Sequence, residues 1–479
     1  MKNDLKLEYS KWNLQDFNMF KKACSKVLHL QEAQIYQPYF SLYFSIHNTK
    51  HSHKIFDIKN RFQIKDISSN KEHKHYTSNS FTTCQIYDKH TNSVSTKELF
   101  SKCIPLLDPL YFMKNNYNNI VHRNPLLPSC FNQNTFEKIN DMNNSAYIDT
   151  FFSYICSTLT LSNILPSFPI YYGSVNGIKD SFNYDISDEY YDLKYEGWFH
   201  KYLGLTYTMD IYVDSDSDKE SQSSNSSNDS LSSCSQEDYI ARLKDIPCQH
   251  LFIEKLEGTL EDLLNKNDIK DKLLLSCMFQ VSFALTYLQK YYQFTHNDLH
   301  INNIMYEKTD KVFIYYKFNN IYFKIPTFGY LFKIIDFGRS IFTFHKKTFF
   351  NDTFNKHGEA DGQYTLPYDK LLFTKHSDVT ITPNYHFDLC RLAITILDVL
   401  EFNKEKDYKE KQDFLNFTYD LTRDNDGGSF CDLKDDFTLY KIISEEAKNS
   451  LPRNIIQDKI FTEFRVQKKY FPKKSYYHL

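Results

Sequence analysis

The chain has 479 residues, of which 41% are hydrophobic and 24% charged, a globular composition with room for two or three compact units. Its formal net charge of −3 gives no basic excess for binding nucleic acid or an anionic membrane. The ten cysteines include no C-x-x-C pair, which argues against a zinc ribbon or a disulfide framework and favours a cytoplasmic location.

Two further features of the composition restrict the fold. None of the 11 glycines precedes Gly173, so the first third of the chain contains no glycine-rich loop. The most apolar stretch, residues 273–288, is interrupted by Gln280 and is too short to cross a bilayer. We therefore expect a protein that does not associate with membranes.

The N-terminal part of the chain carries few periodic signals. Residues 1–60 have scattered aromatic side chains without a period, so we treat them as an extension of uncertain role. Residues 83–88 and 98–103 read as strands around the turn HTNSVST, which predicts a β-hairpin. Residues 145–161 place apolar side chains on one face at helical spacing and predict a helix.

An insert then interrupts the chain over residues 179–247. Its central part, residues 214–238, consists almost entirely of Ser, Asp, Asn and Glu. Such a segment buries too little apolar surface to offset the loss of chain entropy, so we predict that it is disordered.

The C-terminal part changes to helical patterns. The sequence HLFIEKLEGTLEDLL predicts a strand, a turn at Gly258 and a short helix. Apolar side chains at 3,4 spacing over 274–288 predict a long helix, and a second one begins at Asp388. Candidate strands lie at residues 304–306, 312–325 and 332–335, and the aromatic segment VFIYYKFNNIYFKIP predicts an inserted β-hairpin in the second of these. We therefore expect an α+β fold with a small β-rich lobe (61–254) containing one main helix, and a larger, mostly helical lobe (255–479).

Two short motifs carry the chemical signal. His-Asn-Asp-Leu-His-Ile-Asn-Asn occupies 296–303 after the long helix, and Asp-Phe-Gly follows a predicted strand at 336–338. Phosphoryl transfer needs a carboxylate to accept the proton of a hydroxyl group, and oxygen ligands to hold Mg²⁺ or Mn²⁺. Asp298 supplies the first of these, and Asn303 and Asp336 supply the second.

The ordered pair H-x-D-x-x-x-x-N and D-F-G resembles the eukaryotic protein kinase superfamily. Segments such as KCIPLLDPLYF, YYGSVNG and HGEADGQYTLPY resemble the serine/threonine-protein kinases of giant DNA viruses. The resemblance implies a bilobal kinase fold, ATP and a protein with Ser or Thr hydroxyls as partners, and a location in host cytoplasm or the virion.

The resemblance also implies roles for the nucleotide-binding residues. Lys102 would anchor the α- and β-phosphates, braced by Asp149, with Glu137 as the fallback acid. The backbone of Glu254 and Leu256 would face adenine, after Ile253 as gatekeeper.

Four more positions would support the site. His296 would brace the backbone of the D-F-G segment, to which Phe337 and Gly338 belong. Asp388 would brace the catalytic loop or simply cap its helix.

Departures from the superfamily pattern leave the acceptor open. The glycine loop over the phosphates is missing, no A-P-E motif follows Asp336, and Asn297 stands in place of Arg. His300, for which we predict a catalytic role, stands where Ser/Thr kinases usually have Lys. H-x-D-L-H-x-x-N is similar to choline and aminoglycoside phosphotransferases, so a small-molecule hydroxyl kinase is one alternative and a pseudokinase scaffold is another.

Overall fold

The chain divides into two compact units, which are described separately. The N-terminal unit comprises residues 7–141 and 172–253, and the C-terminal unit comprises residues 1–6, 142–171 and 254–479. The computed structural model describes residues 5–44, 52–74, 76–117, 126–130, 135–213, 237–266, 269–354, 360, 363–364, 381, 383–402, 412–424, 426–433 and 436–479.

The strands and helices are numbered in chain order. The strands are β1 (Tyr9–Lys11), β2 (Leu30–Gln34), β3 (Phe56–Ile58), β4 (Phe62–Glu72), β5 (Ser80–Asp88), β6 (Ser93–Pro105), β7 (Tyr171–Asp185), β8 (Tyr207–Val213), β9 (Glu237–Glu254), β10 (Gly258–Thr259), β11 (Ile304–Lys308), β12 (Phe313–Phe318), β13 (Ile321–Pro326), β14 (Tyr330–Ile334), β15 (Phe342–Phe344), β16 (Lys347–Phe349) and β17 (Tyr477–His478). The α-helices are α1 (Leu14–Leu28), α2 (Phe40–Tyr43), α3 (Pro109–Met113), α4 (Glu137–Asn140), α5 (Ser145–Leu161), α6 (Tyr190–Leu193), α7 (Gly197–Tyr202), α8 (Leu260–Leu264), α9 (Asp271–Tyr292), α10 (Phe387–Phe402), α11 (Gln412–Leu421), α12 (Asp436–Glu446) and α13 (Pro452–Ile455).

One antiparallel sheet organises the N-terminal unit. Its strand order is β2-β7-β9-β6-β5-β4, with β8 paired to β9. The predicted hairpin is confirmed, since β5 and β6 pair with Asp88 opposite Ser93. Lys102 lies on β6 with a half-buried side chain, between Ser101 and Cys103, which are both buried. The strand therefore presents Lys102 on the opposite face from its buried residues.

The predicted extension is part of this unit from Leu7 onward. Asn13 caps α1 by accepting the backbone N–H of Gln15 at 2.8 Å, and the helix buries Phe17, Phe20 and Leu28. Strand β2 extends the sheet by pairing with β7. Helix α1 does have a helical period that the sequence prediction missed, because Phe17, Phe20, Cys24 and Leu28 are buried at spacings of 3 and 4.

Much of the insert is folded. Phe182, Phe199, Tyr207 and Tyr239 share a buried cluster around β8 and the start of β9. Residues 214–236 of the predicted disordered segment lie outside the described residues. The prediction is wrong for the last two positions, 237 and 238, because they begin β9 and pair with the end of β8.

The helix predicted over 145–161 is confirmed as α5. Its residues belong to the C-terminal unit, which differs from the predicted boundary between the lobes. The physical reason is that α5 is buried nearly all round, with Phe152 packed at 4.4 Å on Phe342 and stacked at 4.6 Å on Phe294. A helix whose side chains are buried on nearly every side belongs to the core that surrounds it.

The long helix α9 and three small sheets complete the C-terminal unit. Strands β10, β11 and β14 form one antiparallel sheet. The hairpin predicted within residues 312–325 is confirmed as β12–β13, which turns at Asn319 with φ of 52°. It packs Tyr316 and Phe323 on Phe279 of α9 and pairs with the C-terminal strand β17. No helix within the described ranges is long and apolar enough to span a membrane.

Candidate active site

Asp388 fixes the start of the loop formed by residues 296–303. It lies fully buried in the first turn of α10, and its carboxylate accepts the backbone N–H groups of His296 at 2.9 Å and Asn297 at 3.0 Å. Burial raises the pKa of Asp388 above its ordinary value. These two bonds favour the bracing role over the alternative of a simple helix cap.

His296 joins this loop to the segment that carries Asp336. Its Nε2 is 2.8 Å from the carbonyl oxygen of Ile335, so Nε2 carries the proton that is donated. Beside it, Thr295 and Ile341 exchange two backbone hydrogen bonds of 2.9 Å. His296 therefore braces the backbone directly before Asp336, at the place where it was predicted to act.

Asn297 makes neutral contacts where the resemblance expects Arg. Its backbone is left-handed, with φ of 62°, and its side chain is fully buried. Nδ2 donates to the carbonyl of Arg339 at 3.1 Å, and Oδ1 accepts the hydroxyl of Tyr364. Asn297 thereby connects the 296–303 loop to the chain beyond Asp336 without using a charge.

Asp298 is accessible and has two partners that the sequence did not reveal. Its side chain is 27% exposed. Oδ1 accepts the hydroxyl of Tyr440 from α12 at 2.7 Å, and Nη1 of Arg339 lies 4.0 Å from the same oxygen. Tyr440 is 142 positions away in the sequence, in a segment without a motif.

Asn303 is oriented by the contacts of its amide nitrogen. Nδ2 lies 2.8 Å from the carbonyl oxygen of Asp298 and 3.0 Å from Nε2 of His300. The amide oxygen, Oδ1, accepts no hydrogen bond from the described residues and remains for another ligand. The backbone carbonyl of Asn303 accepts the N–H of Ile335 at 3.1 Å, which brings Asn303 beside the residue preceding Asp336.

His300 lies beside Asn303, while its predicted catalytic role stays a prediction. Nδ1 accepts the backbone N–H of Asn302 at 3.3 Å, and Nε2 lies 3.0 Å from Nδ2 of Asn303. Burial lowers the pKa of His300, and the carboxylates of Asp298 and Asp336 oppose this shift. The lowered pKa favours the neutral form of the His300 ring beside Asn303.

The Asp-Phe-Gly segment turns sharply after β14. Asp336 has φ of 64°, and Phe337 is buried with its ring 5.1 Å from Phe152 of α5. A Cβ atom at Gly338 would lie 3.6 Å from Oδ1 of Asp336, which is ordinary contact, so glycine is not demanded there by space. The left-handed turn directs Asp336 and the Phe337 ring to different surroundings.

Asp149 is placed at this turn by α5. It is 1% exposed, and Oδ1 accepts the backbone N–H of Phe337 at 3.0 Å and the hydroxyl of Ser153 at 3.4 Å. The pairing of Asp149 with Lys102 stays a prediction, because Lys102 belongs to the N-terminal unit. Glu137, the fallback acid, is exposed on the short helix α4.

Glu254, at the end of β9, is tied to the strand before Asp336. Its backbone N–H donates to Ile170 at 2.8 Å, and its Oε2 accepts Nζ of Lys333 at 3.0 Å. Lys333 is only 3% exposed and is also 3.2 Å from Glu307. Leu256 is buried at the following turn. Lys333 is a buried cation between two acids that sequence reasoning missed.

The oxygen atoms of this site could supply some, but not all, of the ligands of a hard cation such as Mg²⁺. Asn303 Oδ1 and the Asp336 carboxylate are oxygen ligands of the kind that Mg²⁺ prefers. Within the described part of the chain, no three His, Cys, Asp or Glu side chains are grouped to hold a metal ion. A cation bound by these two residues would therefore take its remaining ligands from phosphate oxygens and water.

No protein-family model matches this chain, and no curated protein matches it. The function is therefore inferred from the residues and geometry of the site.

Proposed function

We propose that this protein is an ATP- and Mg²⁺-dependent phosphotransferase of protein-kinase fold that acts on Ser or Thr hydroxyls of a protein. The observation that carries the proposal is the linkage of Asp298, Asn303 and Asp336. Asn303 bonds to the carbonyl of Asp298 with its side chain, and to the N–H of Ile335 with its backbone. One proton acceptor and two oxygen ligands thus belong to two adjoining loops.

Each residue has a defined task in this reaction. Asp298 orients the acceptor hydroxyl and takes its proton as the oxygen attacks the γ-phosphorus and the bond to the β-phosphate oxygen breaks. Asn303 and Asp336 would hold Mg²⁺, which neutralises charge on the phosphates when bound. Lys102 stays the predicted phosphate-anchoring residue. The backbone N–H of Glu254 is used by Ile170, so its carbonyl would face adenine.

The bracing contacts support this proposal over a scaffold. Asp388 and His296 fix the backbone of both loops from the buried side, and both are fully buried. Catalysis by positioning requires such rigid support of the reacting groups. The two compact units, one built on a sheet and one around α9 and α10, support the bilobal arrangement.

Phosphoryl transfer from labelled ATP tests the proposal. Wild-type protein is incubated with Mg²⁺ and either peptide arrays or hydroxylated metabolites. We expect Asp298→Asn to lower kcat by a factor of about 10²–10⁴, because it removes the proton acceptor. Asp310→Asn is the matched control, since Asp310 is exposed in the turn after β11.

Three results would count against parts of the proposal. Equal transfer by wild type and Asp298→Asn would show that Asp298 is not the proton acceptor. Transfer only to metabolites would assign the small-molecule alternative suggested by His300. No transfer to either class, together with no binding of ATP, would establish the scaffold.

A further inference from the structure

The two oxygens of the Asp298 carboxylate have different surroundings. Oδ1 accepts the hydroxyl of Tyr440 at 2.7 Å and has Arg339 at 4.0 Å. Oδ2 has no hydrogen-bond partner among the described residues. The contacts therefore divide the carboxylate into one bound oxygen and one open oxygen.

Tyr440 is held firmly in this position. Two residues of α10 contact its ring. The ring centre of Tyr440 lies 5.6 Å from that of Phe387 and 5.0 Å from the guanidinium carbon of Arg391. On α12, the neighbouring side chains of Leu439 and Ile443 are buried in the same core cluster as Phe387. A side chain fixed between two packed helices does not swing in and out like a loop residue.

The hydroxyl of Tyr440 is a permanent donor at neutral pH. Burial raises the pKa of Tyr440 to about 12. Its hydrogen bond to a carboxylate is of the charge-assisted kind, which is shorter and stronger than a neutral one. The contact therefore persists whenever Asp298 is ionised, which is the state that accepts a proton.

We propose that Tyr440 is a positioning residue of the phosphotransfer reaction, which holds Oδ1 of Asp298 so that Oδ2 receives the acceptor proton. This inference rests on the proposed function. Without a fixed donor, the carboxylate rotates about its Cβ–Cγ bond through orientations in which neither oxygen faces the acceptor hydroxyl. Fixing that rotation before the acceptor binds removes an entropic cost from the chemical step.

Tyr440→Phe tests the role, because it deletes the hydroxyl and keeps the ring against Phe387 and Arg391. We expect kcat to fall about tenfold, with an unchanged KM for ATP. Ser444→Ala is the matched control, because it deletes a hydroxyl of α12 that bonds only within the helix, to Lys441 at 2.7 Å. It should retain the wild-type kcat.

Two kinetic results would overturn the inference. An unchanged kcat in Tyr440→Phe would show that the hydroxyl does not position Asp298. A higher kcat would show that the hydroxyl blocks the acceptor instead of preparing its site.

Crystal structures of the wild type and both variants separate this inference from the proposed function. We expect the Asp298 carboxylate to rotate or to occupy two orientations in Tyr440→Phe, and to keep its orientation in Ser444→Ala. An unmoved carboxylate in Tyr440→Phe contradicts the positioning role. If the wild type transfers phosphate to no acceptor, the proposed function fails, and the structures alone decide whether Tyr440 fixes Asp298.

Discussion

Asn303 is held by its amide nitrogen, which leaves its amide oxygen as the atom that can bind a ligand. Nδ2 donates to the carbonyl of Asp298 at 2.8 Å and lies 3.0 Å from Nε2 of His300. We expect Asn303→Ala to raise the Mg²⁺ concentration needed for half-maximal transfer by about tenfold or more. The substitution removes both the amide oxygen proposed as a metal ligand and the amide nitrogen that orients it. A Mg²⁺ titration at saturating ATP measures the effect.

The adjacent asparagine provides the control for that experiment. Asn302 is exposed in the same 3-10 turn, whereas Asn303 is buried. Asn302→Ala should leave the Mg²⁺ requirement unchanged. If both variants shift it equally, the turn has been disturbed and the assignment of Asn303 as a ligand is not supported.

Unlike Asn303, Lys333 is a buried charged residue that we expect to stabilise the fold. It is almost fully buried between Glu254 and Glu307 and also donates to the carbonyl of Phe168 at 3.3 Å. We expect Lys333→Met to lower the free energy of unfolding by about 3 kcal/mol, because removing the cation leaves two acids facing each other. Urea unfolding measures the loss. Lys308→Met, at an exposed position of β11, should cost little, and equal losses would contradict the special role of Lys333.

At the scale of elements, α5 supports the site through its packing. Phe152 contacts Phe294, Phe337 and Phe342 with ring centres 4.4–5.1 Å apart. We expect Phe152→Ala to lower the free energy of unfolding by about 3–5 kcal/mol, because it opens a cavity among these rings. Thermal and urea unfolding measure this. Tyr470→Ala, which truncates an exposed ring, is the control, and a similar loss there would contradict the prediction.

The sequence predicted those elements whose own pattern specifies them. The 3,4 spacing in α5, α9 and α10 and the turn between β5 and β6 are local signals, and each element lies where it was expected. The fold of residues 7–60 and the folded part of the insert were missed. Strand β2 is stabilised by its pairing with β7, about 140 positions later, and no local pattern reveals such a pairing.

At the scale of the whole molecule, the site shows the same division between local and distant signals. Asp298, Asn303 and Asp336 were predicted because each lies in a contiguous motif. Tyr440 was not predicted, since it reaches Asp298 only through the packing of α12 on α10. Lys333 was not predicted either, because its two acidic partners lie on other strands. Side chains that orient a site come from elements that folding brings together, and their spacing in the sequence carries no signal.

The missing glycine loop makes the binding of ATP the property of the whole molecule that most needs a test. The turn between β4 and β5 contains no glycine, so under the proposed function Mg²⁺ held by Asn303 and Asp336 would have to supply more of the affinity for ATP. We expect Mg-ATP at a hundred times its Kd to stabilise the protein by about 2.7 kcal/mol, and ATP with EDTA to stabilise it much less. Scanning calorimetry measures both. Asp336→Asn should abolish the difference between the two conditions, whereas Asp310→Asn should keep it. If ATP stabilised the wild type equally with and without Mg²⁺, the nucleotide would bind without a metal ion held by Asn303 and Asp336.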